Sequence, residues 1–371
     1  MSHDDNDAAM NGTLHEDPAA GTKTVAEAPR LRTAHDLIAG AMSRAFAREP
    51  PKAIPSGHHL IDQKTGGFKP GWCWVIGADT NVGKSTLAVA FADVALRLGK
   101  GVLIVSLEDS EDIYGDRLLL RRGRRDQYQK INADRLRMRT LTPDEMQIVT
   151  DVTNEAERKP MFLDAIGWSG QKLAKALART LDAMPEIELV IVDYLGEIAS
   201  EGRSEDRRNE VRAMASLVKS TVKSRQRCVI ILSQITVDEK NPDKFPRRHQ
   251  IRDSRDVING AEVVAMLGIV QADLPDKKTG DVILRAGERG LLLDKVKQGR
   301  KGMVQLHWDD EAACFVDVED PHASPEPPEP PLGRSWSPAE RADARPPPPH
   351  WQDAAEREDL CGFIQDGFGG I

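Results

Sequence analysis

The sequence has few cysteines, and they are scattered. Its 371 residues contain four of them, at Cys73, Cys228, Cys314 and Cys361, without a Cys-x-x-Cys pair or a cluster of cysteine and histidine. This pattern argues against a disulfide framework and against structural zinc, and it is typical of proteins in a reducing compartment.

Long apolar runs are also missing from the sequence. No segment approaches the roughly 20 consecutive apolar residues that a membrane-spanning helix needs. The acidic start, MSHDDNDAAM, has no apolar region of the kind found in secretory signal peptides. The sequence therefore predicts a soluble cytoplasmic protein without a membrane partner.

An excess of positive charge is missing from the chain as a whole, but not from its centre. The formal net charge is −8. Residues 1–30 hold six acidic and two basic side chains, and residues 317–371 hold twelve and four, so the block between them carries a net charge of +4. A mildly basic centre is compatible with nucleic-acid binding.

Composition and periodicity divide the chain into five parts. Apolar residues at helical spacing begin near Leu31, Thr33 and Asp36 form a plausible capping box, and Pro50 and Pro51 end the pattern. Eleven of the 29 residues 321–349 are proline, which is a linker composition. We therefore expect a disordered acidic tail (1–30), an amphipathic helix (31–51), a folded domain (52–318), a Pro-rich linker (319–350) and an acidic, partly apolar tail (351–371).

Within the expected domain, short apolar runs alternate with helical patterns. This alternation predicts an α/β fold with a mostly parallel central sheet covered by helices. Helices are expected over Ser85–Leu98 and Asn209–Lys223, and the expected strands are Trp72–Ile76, Val102–Ser106, Met161–Leu163, Leu189–Val192 and Val229–Leu232.

A phosphate-binding loop is the most informative motif. The segment ADTNVGKS follows one predicted strand and opens a predicted helix, which is the context that a phosphate loop requires. Backbone N–H groups and the positive end of the helix can hold a triphosphate. Lys84 would reach the β- and γ-phosphates, and the Ser85 hydroxyl would bind Mg²⁺. The expected nucleotide-binding residues of the loop are Ala78, Asp79, Thr80, Asn81, Val82, Gly83, Lys84, Ser85 and Thr86.

Two acidic residues at strand ends complete the predicted chemistry. Asp193 ends the run ELVIVD, from where its carboxylate can order the Mg²⁺ shell through water. Glu108 follows GVLIVSL and could orient or deprotonate the attacking water.

Taken together, six segments resemble the motor domain of the DnaB-type replicative helicases, over about Leu31 to Phe315. In chain order they are IPSGHHLIDQKTGGFKPG before the phosphate loop, SLEDS around Glu108, VDYL around Asp193, LSQI around Gln234, RDSRDVINGAEVV from Arg252, and DKVKQGRKG from Asp294.

This resemblance implies a RecA-like P-loop NTPase core preceded by an amphipathic linker helix. It implies an ATP- and Mg²⁺-dependent ring helicase that moves 5′ to 3′ on single-stranded DNA and unwinds duplex DNA. The expected assembly is a homo-hexamer in a bacterial, plasmid or phage replication system, with a primase or a loader as a further partner. Thirty polar residues cannot form the family's helical N-terminal domain, so a minimal form is expected, and the linker helix would dock on the adjacent subunit.

The resemblance also implies roles for single residues. Glu108 corresponds to the catalytic glutamate, Arg117 to an arginine near the nucleotide phosphates, and Gln234 to a γ-phosphate sensor. The family's DNA-gripping loop covers Arg252, Asp253 and Arg255, the last in place of a small residue. Arg207 and Arg208, after the Asp193 strand, are further candidate channel cations. Apart from Arg117, the basic run Arg117–Arg139 is interpreted as a solvated helical surface.

The sharpest departure from the family lies in DKVKQGRKG. The family places a lysine and, two residues later, an arginine at the neighbouring subunit's ATP, and here both are lysines, Lys295 and Lys297. Lysine carries the charge without the planar bidentate fork of arginine, so the departure bears on the rate of hydrolysis and not on nucleotide binding. Arg300 is an alternative if the loop shifts.

Two other functions stay open from the sequence. One is another RecA-like ATPase, of the RadA recombination or KaiC regulatory kind, which shares the TGG lead-in and the phosphate loop. The other is a loader or scaffold that binds ATP but hydrolyses it weakly, which the lysine at position 297 motivates.

Overall fold

The computed structural model describes residues 33–46, 53–124, 128–156, 161–194, 204–236, 245–251, 255–275 and 282–316. For residues 44–45, 204–212, 214 and 255–257 it describes the backbone alone. The predicted acidic tail, most of the Pro-rich linker and the C-terminal tail lie outside these ranges. No helix in the described part of the chain is long and apolar enough to cross a membrane.

A helix is present where the sequence predicts one, as α1, which spans Ala34–Ala45. Its capping box is confirmed: the Asp36 N–H donates to Thr33 Oγ1 at 3.1 Å, and the Thr33 N–H donates to Asp36 Oδ2 at 2.9 Å. The apolar side chains of α1 are exposed, with Leu37 at 63% and Phe46 at 77%. The expected last turn, residues 47–50, lies outside the described residues.

From residue 59 to residue 269, strands largely alternate with helices, as the sequence predicts, whereas the elements in the described residues after residue 269 are all strands. The helices are α2 (His59–Thr65), α3 (Lys84–Arg97), α4 (Glu111–Gly123), α5 (Ala133–Met138), α6 (Pro143–Glu155), α7 (Gly170–Ala183), α8 (Ser204–Ser224) and α9 (Arg255–Gly260). The strands are β1 (Cys73–Ala78), β2 (Gly101–Ser106), β3 (Phe162–Asp164), β4 (Ile187–Asp193), β5 (Cys228–Gln234), β6 (Val263–Ile269), β7 (Leu274–Pro275), β8 (Val282–Leu284), β9 (Arg289–Val296), β10 (Gly302–Asp309) and β11 (Cys314–Val316).

Nine of these strands form one sheet in the order β11-β10-β9-β6-β1-β5-β4-β2-β3. The six strands from β6 to β3 run parallel, which confirms the predicted parallel sheet. Strands β9, β10 and β11 extend it in antiparallel fashion, and the sequence pattern did not predict this extension. Because β1, β5, β4 and β2 are parallel, their carboxyl ends lie along one edge of the sheet.

Two apolar layers cover the two faces of the sheet. On one face, Phe68 packs edge-on against Trp74 and Phe91, with ring centroids 4.9 and 5.0 Å apart, and this contact fixes α3 over β1. Each of these rings is at most 2% exposed, and burial of one such side chain contributes about 1.5–3 kcal/mol. Helices α7 and α8 cover the other face.

One prediction about the basic run was wrong. Arg121 does not belong to a solvated surface but is only 7% exposed. Its Nε donates to Asp93 Oδ2 at 3.0 Å and its Nη1 donates to the Phe315 carbonyl at 2.6 Å. A buried carboxylate on α3 and the end of β11 thus take up a charge that periodicity placed in solvent.

Candidate nucleotide-binding site

The phosphate loop lies between β1 and α3, as predicted. Its backbone turns through two residues of positive φ, Asn81 at 61° and Gly83 at 100°. Gly83 is the N-cap of α3, and no side chain of the described residues caps the first N–H groups of this helix. Those donors and the positive end of the helix remain available for an anion.

Lys84 opens α3 and is almost buried, with 8% of its surface exposed. Its Nζ lies 3.5 Å from Asp193 Oδ1 and 4.4 Å above the ring centre of Tyr194. A buried ammonium is tolerated only when it is paired, and here a carboxylate and an aromatic face provide the pairing. Lys84 is therefore held beside Asp193 without blocking the start of α3.

Asp193 is the centre of the site. It is 1% exposed, and its Oδ2 accepts hydrogen bonds from the Ser85 hydroxyl and, at 2.5 Å, from the Tyr114 hydroxyl. Its Oδ1 is buried and, among the described residues, has no hydrogen-bond partner. Lys84 Nζ is its ionic neighbour at 3.5 Å, so this oxygen keeps the capacity to accept a hydrogen bond from a bound group.

These contacts fit a nucleotide with a bound Mg²⁺. Ser85 is the hydroxyl that a phosphate loop offers to the metal, and the adjacent Asp193 oxygen can accept from a metal-bound water. The described residues contain no group of three histidine, cysteine or carboxylate side chains that would bind a metal by themselves.

Glu108 and Arg117 flank this centre on the next strand and helix. Ser106, at the end of β2, is in register with Asp193, and the Leu107 N–H donates to the Asp193 carbonyl at 2.7 Å. Glu108 follows directly and is exposed at the same edge. In this chain Arg117 Nη1 donates to Asp109 Oδ2 at 2.7 Å.

Gln234 ends β5 in register with Ala78, the last residue before the loop turns. The next residue, Ile235, forms an antiparallel bridge with Ile251. Ile251 also packs against Gly77, where an added Cβ would lie 2.9 Å from the Ile251 Cγ1 atom. The sensor candidate is therefore joined by backbone and packing to the residue that precedes Arg252.

The structure describes no side chain of the residues predicted to contact DNA. Arg252 and Asp253 fall outside the described residues. The backbone of Arg255 opens α9 and the backbones of Arg207 and Arg208 lie in α8, and their side chains are not described. The DNA-binding role of these five residues stays a prediction.

Lys295 and Lys297 lie at the opposite end of the sheet from the phosphate loop. Val296 is in register with Val263, which is in register with Trp74 near the start of β1. Lys295 Nζ donates to the carbonyls of Ile258 and Asn259 at 3.1 and 2.8 Å, and Lys297 Nζ lies 3.8 Å from Glu262 Oε1. Neither lysine is at its own chain's Lys84.

Some site residues escaped the sequence reasoning. Arg289 Nε donates to the Val82 carbonyl at 3.3 Å, and its guanidinium lies 4.0 Å from the ring centre of Trp308. Burial lowers the pKa of Arg289. Tyr114 and Tyr194 also contact the central residues. Only Tyr194, inside the VDYL segment, carried a signal in the sequence.

Fold and site together define a RecA-like P-loop NTPase domain. Two solved structures share this fold, each at 21% identity. One is described as "The Structure Of A DnaB-Like Replicative Helicase And Its Interactions With Primase", with a TM-score of 0.65 over 78% of this chain and 68% of that one. The other is the "ATPase Domain of G40P", with a TM-score of 0.64 over 77% and 98%.

The chain belongs to the DnaB-like helicase family. Residues 53–317 match the family described as "DnaB-like helicase C terminal domain", which sets aside the RadA- or KaiC-like alternative. The replicative DNA helicases DnaB of Geobacillus stearothermophilus and DnaC of Bacillus subtilis are each 29% identical over 269 residues. These matches cover 72% of this chain and 57% of either relative, so the chain spans little more than half the length of the relatives it matches.

Proposed function

We propose that this chain is the motor of a replicative DNA helicase, which hydrolyses ATP while it moves 5′ to 3′ on single-stranded DNA and unwinds the duplex. One observation carries the proposal. The side chains of Lys84, Ser85 and Asp193 converge where β1 and β4 end, and Glu108 and Gln234 stand at the ends of the neighbouring strands. Membership of the DnaB-like helicase family gives this arrangement its biological reaction.

In the proposed reaction each residue has one task. Lys84 binds the β- and γ-phosphates, and the N–H groups at the start of α3 hold the same phosphates. Ser85 and Asp193 would hold Mg²⁺, which when bound would neutralise charge on the phosphate oxygens. Glu108 accepts a proton from the attacking water. Gln234 senses the γ-phosphate, and Arg117 exchanges Asp109 for a phosphate.

Assembly supplies the cations that one protomer lacks at its own site. Lys295 and Lys297 are at the far end of the sheet, so they act on a neighbour's nucleotide if subunits follow each other head to tail around a ring. A hexamer of this kind leaves the apolar side of α1 to pack on the adjacent subunit. Arg300 is a weaker candidate than Lys297. It would have to shift with its loop, and its backbone N–H donates to the Lys64 carbonyl at 2.8 Å, which holds the loop in place.

Hydrolysis is coupled to DNA through the end of β5. Gln234 faces the nucleotide edge, and the bridge from Ile235 to Ile251 leads straight to Arg252. A shift of Gln234 after phosphate release would therefore move the loop that contains Arg252, Asp253 and Arg255, with Arg207 and Arg208 as further contacts. Such backbone contacts bind without sequence preference and weaken with salt.

Hydrolysis and unwinding, measured against protein concentration, test this function. We expect the ATPase rate per subunit to rise with concentration and with single-stranded DNA, and a fork with a free 5′ tail to be unwound. Lys84→Ala should lose nucleotide binding, whereas Glu108→Gln should keep binding and lose hydrolysis. A rate per subunit that is independent of concentration and of DNA would contradict the proposal.

A weakly hydrolysing loader or scaffold is the second candidate. It is favoured by one observation: both lysines of the expected trans pair are engaged within their own chain, Lys295 at α9 and Lys297 at Glu262. Single-turnover hydrolysis with DNA present separates the two functions. Equal rates for the unaltered chain and for Glu108→Gln would favour the scaffold. Replacing Lys297 by arginine should accelerate a true motor. A primase or a loader bound outside residues 53–317 is compatible with either function.

A further inference from the structure

Tyr114 is a buried polar side chain to which the proposed chemistry assigns no task. It lies in the second turn of α4 and is 4% exposed. Its hydroxyl donates to Asp193 Oδ2 at 2.5 Å across 79 residues of sequence. Burial, together with the nearby Asp193 charge, raises the pKa of Tyr114 far above its usual range, so the hydroxyl keeps its proton.

The Tyr114 ring is fixed on both sides. Its centroid is 5.2 Å from that of Phe162 on β3, and the Arg117 guanidinium lies 5.2 Å from the ring centre. A ring held in this way presents its hydroxyl at a fixed point. The donor is therefore preorganised toward Asp193.

The two oxygens of Asp193 have different tasks as a result. Oδ2 accepts from Ser85 and Tyr114, whereas Oδ1 faces Lys84 and, among the described residues, receives no hydrogen bond. A carboxylate that makes one hydrogen bond can still rotate, but two donors on Oδ2 fix its plane. The oxygen left over, Oδ1, is then held beside Lys84 Nζ at the start of α3, and it can still accept a hydrogen bond from a water on a bound metal.

We propose that Tyr114 is a positioning residue that acts through Asp193 and sets the affinity of the nucleotide-loaded site for Mg²⁺. The inference rests on the proposed function, because it assigns Asp193 to the metal. Tyr114 also lies on the segment that begins with Glu108, and the Leu107 N–H already binds the Asp193 carbonyl. The two contacts, from Tyr114 and from Leu107, therefore also fix the position of Glu108 relative to Asp193.

Tyr114→Phe tests the proposal with the full chain, because it removes one hydroxyl and keeps the ring. Tyr128→Phe is the matched control, since Tyr128 is 84% exposed and the chain has three tyrosines. Binding of a fluorescent, non-hydrolysable ATP analogue is titrated with MgCl₂ and repeated in EDTA. Bound Mn²⁺, which prefers the same oxygen ligands, is counted by electron paramagnetic resonance.

Loss of a residue that orients a metal's protein partner typically costs 10–100-fold in metal affinity. We therefore expect Tyr114→Phe to need about tenfold more Mg²⁺ for half-maximal analogue binding, to bind less Mn²⁺, and to bind the analogue in EDTA as the unaltered chain does. Tyr128→Phe should match the unaltered chain in all three measurements.

Two results would overturn the proposal, and they differ from a failure of the proposed function. An unchanged Mg²⁺ titration of Tyr114→Phe would show that Asp193 needs no such support. An equal loss of analogue binding with Mg²⁺ and in EDTA would reduce Tyr114 to a structural role. If the unaltered chain itself binds the analogue without any response to Mg²⁺, the assignment of Asp193, and with it the proposed function, is wrong.

Discussion

The ion cluster under the phosphate loop offers a test of how much a buried charge stabilises this fold. Asp93 on α3, whose side chain is 2% exposed, faces Arg121 Nε at 3.0 Å, Arg122 Nε at 2.7 Å and Arg97 Nη2 at 3.2 Å. Arg121 also holds the Phe315 carbonyl. The Phe315 ring lies where a Cβ on Gly83 would be 3.3 Å away. The cluster thus joins α3, α4 and β11 beneath the loop.

Asp93→Asn keeps the shape of the side chain and removes its charge. The guanidinium of Arg121, with its side chain 5% exposed, would then be buried without a counter-charge. Breaking a buried pair in this way costs about 3–5 kcal/mol of the free energy of unfolding. In a domain of this size each kcal/mol lowers Tm by about 2–4 °C, so we expect Tm to fall by roughly 6–20 °C.

The chain contains a matched exposed pair for comparison. Arg225 Nε and Nη2 donate to the two oxygens of Asp182 at 2.7 and 2.8 Å, but the Asp182 side chain is 63% exposed. Since water solvates both partners, Asp182→Asn should leave Tm almost unchanged. Thermal unfolding of both variants by circular dichroism decides the question. If the two variants melt together, burial does not determine the energy of these ion pairs, and the reasoning fails.

Three further outcomes follow from the same structure. Burial raises the pKa of Asp62 to about 6. Between pH 4 and 6 the folded state therefore keeps a proton on Asp62 that the unfolded state has lost. The free energy of unfolding should fall by about 1–3 kcal/mol as pH rises over this range. Urea titrations of Asp62→Asn should lack that fall. Arg289→Lys removes the donor to Val82 and should weaken analogue binding about tenfold, the loss expected when a charged hydrogen bond is removed, in the fluorescence assay. Gly83→Ala should abolish analogue binding because φ is +100° and Phe315 is close, whereas Gly99→Ala, with φ +72° and open space, should lower only Tm.

The edge of the sheet on which each site residue lies was predictable, because in a parallel sheet it follows from the position of the residue within its own strand. The pattern of a strand, a glycine-rich turn and a helix placed Lys84 at the start of α3. Apolar runs that end in Asp193 and Gln234 placed both residues at the carboxyl edge. In a parallel sheet the edge on which a residue lies depends only on its position in its own strand. The approach of Asp193 to Ser85 then needed no knowledge of distant pairing.

Contacts between distant segments were beyond the reach of the sequence. Tyr114 meets Asp193 across 79 residues, and Arg289 meets Val82 across 207. Periodicity reports that a side chain is buried but not which partner it finds. For the same reason the run of arginines in α4 was interpreted as a solvent-exposed surface, whereas Arg121 is buried in an ion pair with Asp93 on α3. The antiparallel strands β9 to β11 were missed because their partners in the sheet are set by tertiary packing.

The direction of the strands also explains why, under the proposed function, one protomer lacks a cation that its own nucleotide site needs. Strand β9 runs antiparallel to β6, so it starts with Arg289 beside the phosphate loop and carries Lys295, its last residue but one, to the other edge. One strand therefore supports the loop of its own subunit at its first residue and places a lysine far from that loop near its end. Because the sheet separates the two ends, no shift of a single side chain returns Lys297 to its own Lys84. Under the proposed function the cation would serve hydrolysis on another copy of the chain, and a closed head-to-tail ring is the simplest assembly in which every site is complete.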